Sequence, residues 1–149
     1  MSFTDKIHAN QIAAQKQGRG VELATLRLLS SEIHNLEIDK HAPLSDEEII
    51  TVIQRQIKKR QEAIALYRQG RREELARREE EEIQILNKYL PRQMTPEEVA
   101  EATRKIIEDL GGKDKVNFGQ VMGQAVKAIA GKASGNLIAE EVKKLLSSS

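Results

Sequence analysis

The best candidate chemistry in this 149-residue chain lies between residues 131 and 136. Gly131-Lys132-Ala133-Ser134-Gly135-Asn136 puts several backbone amides and one ammonium group at the start of a helix that Ser134 would cap. First-turn amides have no intrahelical acceptor, and the helix dipole is positive there, so an anion is favoured. Gly119 and Gly123 upstream would let a ligand or a second backbone approach closely. The competing reading is that these glycines only permit tight turns and helix packing. From Lys113 onward, six lysines face only Asp114, Glu140 and Glu141.

Other chemistry has little to stand on. Without Cys there is no disulfide, thiol catalysis or Cys-based metal centre. His8, His34 and His41 are scattered, and only Asp39 lies near His41, so no metal ligand set or general base is expected. Neither a Gly-x-Ser-x-Gly elbow nor a phosphate-binding Gly-x-x-x-x-Gly-Lys loop occurs. No catalytic residue, metal or cofactor is expected.

Charge patterning points the same way. In the run from Arg71 to Glu82, Glu73, Arg77 and Glu81 form one i,i+4 ladder, and Glu74, Arg78 and Glu82 form another. Such ladders neutralise themselves along a solvated helix face. Arg55 and Lys58-Lys59-Arg60 are basic, but consecutive helical residues diverge and make no compact phosphate site. The net charge is +1, with 15 basic and 15 acidic residues up to Leu90 and nine against eight after it. A dedicated nucleic-acid binder usually has a larger basic excess. Residues 1–6 lack a signal-peptide core, and no apolar run is long enough to cross a bilayer, so a soluble cytoplasmic protein is expected.

The elements that position these residues read as helices throughout, and the fold class is all-α. The first helix is expected from a Thr4 cap to about Gln17, the second from Val21 to Asp39 with Leu26, Leu29, Ile33 and Leu36 as its seam. Ser45 and Glu48 form a capping box that opens a long third helix. Its expected seam is Ile50, Ile53, Ile57, Ile64 and Tyr67, with the Arg60 stem along the stripe and its head in water. Gly70 marks a break before a fourth helix over Arg71–Leu90. Pro91 stops that helix, and Thr95, Pro96 and Glu98 start the next. The expected architecture is an N-terminal helical bundle or hairpin, residues 1–90, joined by a proline hinge to a three-helix domain, residues 91–149. In that second part the helices are expected over Pro96–Leu110, after Asn117 and after Ser134. Val99, Ile106, Ile107 and Leu110 should be buried, with a C′ glycine stop at Gly111-Gly112.

Several segments resemble the GatB/YqeY family. Glu81-Glu82-Ile83 through Lys88-Tyr89-Leu90-Pro91-Arg92-Gln93-Met94-Thr95-Pro96-Glu97-Glu98 is similar to its "E-x-x-I-L-x-x-Y-L-P-x-Q-(L/M)-(S/T)-x-E-E" stretch. Asn117 to Gly123 and Gly131 to Gly135 resemble its "D-F-G-K-V-M-G" and "K-G-K-A-D-G" signatures. Upstream, Leu26 to Ile33 and Arg55 to Arg60 fit the family pattern in order. The likeness covers essentially the full chain, in the stand-alone YqeY form. Asn117 and Ser134 replace aspartates and can still cap helices; Gln120 and Ala130 replace lysines.

The resemblance implies that the second domain is similar to the tail of the GatB protein of the glutamine-dependent aminoacyl-tRNA amidotransferases. There the tail helps hold tRNA, and the chemistry lies in other domains. The first expectation is therefore a non-catalytic accessory protein that binds tRNA or another RNA through Lys127, Lys132, Lys143, Lys144 and the backbone at Gly131 and Gly135. The implied partners are tRNA or a tRNA-handling protein, with no membrane and no metal. An alternative is a protein-interaction adaptor that uses the long helical hairpin. A third reading, carried by the family label, is a carbon–nitrogen ligase with glutamine as amido-N-donor.

Overall fold

The computed structural model describes residues 2–147, and these residues are all-α. Seven α-helices follow in order: α1 (Phe3–Lys16), α2 (Gly20–Lys40), α3 (Asp46–Gln69), α4 (Glu73–Asn87), α5 (Pro96–Asp109), α6 (Phe118–Ile129) and α7 (Gly135–Ser147). A single 3₁₀ turn, Lys113–Lys115, precedes α6. The chain divides into two compact units, Met1–Leu90 and Pro91–Ser149, each with its own apolar core.

In the N-terminal unit α1 packs on α2 and α3 on α4, while α2 also meets α3 and α4. The core gathers Ile7, Leu26, Leu29, Ile33, Ile49, Val52, Ile53, Leu86 and Tyr89. Helix α1 is capped by Ser2, whose hydroxyl accepts the Asp5 amide at 3.2 Å; Thr4 lies inside the helix. The Ser45–Glu48 capping box of α3 is present in both directions. Helix α3 ends at Gln69, with Gly70 as its cap residue at the expected break. Gly70 has φ −84°, and Arg71 takes the left-handed position at φ +58°. The Arg72 amide then reaches back to the Tyr67 carbonyl at 2.7 Å, closing a Schellman turn. Helix α4 accordingly starts at Glu73, two residues later than expected. It ends at Asn87; the amides of Lys88, Tyr89 and Leu90 reach carbonyls three residues back, tightening the chain before Pro91.

The buried stripe of α3 is Ile49, Val52, Ile53, Gln56 and Arg60. The expected seam was offset: Ile50, Ile57, Ile64 and Tyr67 are only half-buried. Helix α3 is covered by both α2 and α4, which turns its buried face toward the side they share. Arg60 is corrected too. Its guanidinium is not in water: Nε donates to Glu82 Oε2 at 3.0 Å and lies 3.8 Å from Glu79 Oε2. The self-neutralising ladder of α4 is therefore only partly solvated. Arg77 pairs with Glu73 on the outside, but Glu82 is buried against α3.

In the C-terminal unit α5, α6 and α7 pack pairwise. Their core is Val99, Ile107, Val121, Ala125, Ile129, Ala133, Ile138 and Val142. Thr95 with Glu98, and Asn117 with Gln120, form reciprocal capping boxes. Helix α5 stops in a Schellman turn: the Gly112 amide bonds the Ile107 carbonyl at 2.9 Å and the Gly111 amide bonds Glu108 at 3.1 Å. Gly111 takes φ +112° there, which a side chain rarely tolerates. Leu110, expected in the core, is 39% exposed because it is the cap residue beyond the last packed turn. Ile106 is half-buried at the core's edge.

Candidate nucleic-acid interface

The candidate surface is built on the α6–α7 corner. Gly131 turns the chain at φ +78° after α6. Ser134 then caps α7, its hydroxyl accepting the Leu137 amide at 3.1 Å. The carbonyls of the corner are already engaged. The Gln93 amide nitrogen donates to the Gly131 carbonyl at 2.9 Å, and the Met94 backbone amide donates to the Lys132 carbonyl at 2.7 Å. The Pro-Arg-Gln-Met segment and the Gly-Lys-Ala-Ser-Gly turn thus clasp each other. Gly135 begins α7 in open space, with nothing within 4 Å of a would-be Cβ.

All four lysines named from the sequence are exposed. Lys127 lies in the last turn of α6, where a cation suits the negative end of the dipole. Lys132 projects from the corner itself. Lys143 lies toward the other end of α6, its ammonium 5.9 Å from the centroid of the Phe118 ring. Phe118 and Lys127 are nine positions apart, about 13 Å along a helix. The four cations therefore line the α6–α7 layer rather than converge on one pocket. Lys144 is 3.5 Å from Glu141, whose side chain is only 10% exposed. Lys127, Lys132 and Lys143 have no ion-pair partner among the described residues. The sequence reading missed the clasp, the Phe118–Lys143 contact and the buried Glu141. Only the family motifs at residues 91–94 and 131–135 signalled the clasp, and they do so without saying that they touch.

The histidines are less scattered than expected, although His41 stands apart from the other two. His8 and His34 line one cleft of about 370 Å³ between α1 and α2, beside Asp5 and Glu37. Glu37 is committed to the Leu44 amide at 2.9 Å. Among the described residues no group of three or more His, Cys, Asp or Glu is arranged to hold a metal ion. No helix among them is long and apolar enough to cross a membrane.

A family model for Yqey-like proteins matches residues 4–146. An uncharacterized protein of Schizosaccharomyces pombe (strain 972 / ATCC 24843) is 35% identical over 68 residues, 46% of this chain and 55% of that protein. The chain thus matches little more than half of that relative's length. The protein named altered inheritance of mitochondria protein 41, mitochondrial, from Pyrenophora tritici-repentis (strain Pt-1C-BFP), is 27% identical over 130 residues. That alignment covers 86% of this chain and 71% of that protein. The family match runs from α1 to the last turn of α7, through both units, and the chain belongs to the Yqey-like protein family.

Proposed function

We propose that this protein is a non-catalytic accessory factor that binds tRNA or another RNA through its C-terminal unit. The observation that carries the reading is charge availability: Lys127, Lys132 and Lys143 are exposed and, among the described residues, unneutralised on one layer. Cations already paired to carboxylates have little to give a phosphate; these three are free to release counterions on binding. The resemblance of residues 91–149 to the tail of an amidotransferase component supplies the class of polymer. Gln120 and Ala130 stand where the family pattern has lysines, so the affinity is modest and its salt dependence shallower than those lysines would give. The reading assigns no amido transfer from glutamine to this chain. Gel-shift titration with total tRNA at low salt tests it, and an ammonia-release assay with glutamine tests the ligase alternative.

The adaptor reading keeps one specific support. Leu66, two-thirds exposed, stands near the tip of the α3–α4 hairpin, where the fold gives it no cover. A pull-down that recovers a protein partner after nuclease treatment favours that reading; a pull-down emptied by nuclease favours RNA.

A further inference from the structure

Helix α6 presents more apolar surface than its own unit covers. At about 100° per residue, Val121, Ala125 and Ile129 form one stripe, and all three are buried. Beside that stripe run Met122, Val126, Gly119 and Gly123, an arc with no polar side chain. Met122 is half-buried at the edge of the core, and the other three are exposed, Val126 by 47%. Phe118, the only aromatic residue after Tyr89, is 39% exposed at the start of the helix. The two glycines are not needed by the fold. Neither has positive φ, a Cβ on Gly123 would meet nothing within 4 Å, and one on Gly119 would meet only Asn117 Oδ1 at 3.4 Å. A glycine inside a helix is unfavourable relative to alanine, and here no internal contact explains it.

A helix face without side chains lets another backbone come close, and Phe118, Met122 and Val126 supply apolar walls for it. The charges select the occupant. Lys143 stands over Phe118 near the first turn and Lys127 stands in the last, neither with an ion-pair partner among the described residues. The same helix of a second copy, laid along α6 in either direction, would set lysine against lysine. Phosphates would find no donor side chain along the Gly119–Gly123–Val126 arc. We propose that this flank of α6 docks an amphipathic acidic helix of a partner protein, small residues facing the glycines and carboxylates facing Lys127 and Lys143. The inference shares Lys127 and Lys143 with the RNA reading, so helix and RNA would compete for them, but it rests on the apolar strip and not on the corner at Gly131.

The test is an NMR amide titration of the full chain with a synthetic helical peptide of about 18 residues, carrying an Ala/Leu stripe flanked by glutamates. A version with lysines for the glutamates and an RNA hairpin serve as the other two probes. The acidic peptide is expected to shift the Gly119, Gly123 and Val126 amides, and the lysine version is not. Gly123→Leu should weaken the acidic peptide at least tenfold with an unchanged or higher melting temperature, and Lys127→Gln with Lys143→Gln should weaken it as well. The proposal is overturned if the acidic peptide gives no shift at about 1 mM, or if its shifts centre elsewhere. It is equally overturned if both variants bind like the parent chain, or if only the RNA hairpin moves these amides.

Discussion

Gln93 and Gly131 are joined across 38 residues: the Gln93 amide nitrogen donates to the Gly131 carbonyl at 2.9 Å and to the Pro91 carbonyl at 2.8 Å. With the Met94–Lys132 backbone bond, this ties the segment after Leu90 to the α6–α7 corner. Gln93→Ala should therefore cost about 1 kcal/mol, the net worth of such a hydrogen bond. A fragment of residues 91–149 should fold alone and melt higher than one of residues 95–149, which lacks the clasp. Circular dichroism melts of the two fragments check this. Equal melting temperatures would mean that the clasp contributes nothing, and absence of helical signal in both would mean that this core depends on the N-terminal helices.

The Arg60–Glu82 pair, both side chains about one-tenth exposed, should dominate the polar energetics of the N-terminal unit. Removing one partner of a buried pair strands the other charge, so Glu82→Gln is expected to cost about 3 kcal/mol. Replacing both, as Arg60→Met with Glu82→Leu, should recover most of that loss. Glu79 behaves differently. Burial pushes its carboxyl above the usual range, Glu82 adds to the rise, and Arg60 offsets part of it. The fold thus disfavours its ionised form, and Glu79→Gln should be neutral to slightly stabilising at pH 7. Urea denaturation of the four proteins measures these differences; a Glu79→Gln loss as large as that of Glu82→Gln would contradict the assignment.

Glu48 carries a pH signature. The Lys40 ammonium, at 2.5 Å, and the Ser45 backbone amide hold its carboxyl at about 2 instead of 4.5. A depressed carboxyl stabilises the fold above its unfolded value and loses that contribution as pH falls through the folded one. The stability difference between the parent chain and Glu48→Gln should therefore be constant at neutral pH. It should shrink from about pH 4.5 downward and vanish only below pH 2. Thermal melts across that range check the direction; a difference that grows on acidification would reverse the sign.

The features legible in the sequence were those set within one turn of helix. Ser45 with Glu48 and Thr95 with Glu98 are each a cap and its partner three residues on, and each forms as read; Asn117 caps α6 as expected, and the structure adds Gln120 as its reciprocal partner. What depended on register between helices was not legible. Arg60 finds Glu82 only once α3 and α4 are aligned across 22 residues, and the same alignment turns the buried stripe from Ile50 and Ile57 to Ile49, Val52 and Gln56. Gly70 marks the break as read, but the left-handed residue of that turn is Arg71, which no residue type signals. In the candidate site the exposure of Lys127, Lys143 and Lys144 followed from their positions on α6 and α7. That Lys143 lies over Phe118 while Lys144 goes to Glu141 follows only from how the two helices pack.

The central claim, RNA binding by the α6–α7 layer, is tested most directly by tRNA affinity as a function of salt, for the parent chain and for a variant with Lys127, Lys132 and Lys143 all changed to Gln. The parent chain should bind at low salt, with log affinity falling linearly against log salt concentration. The variant should lose affinity and flatten that slope by about 2 to 3, close to one unit for each phosphate contact removed. A parent chain that shifts no tRNA at tens of micromolar, or a variant with the same affinity and slope, would contradict it.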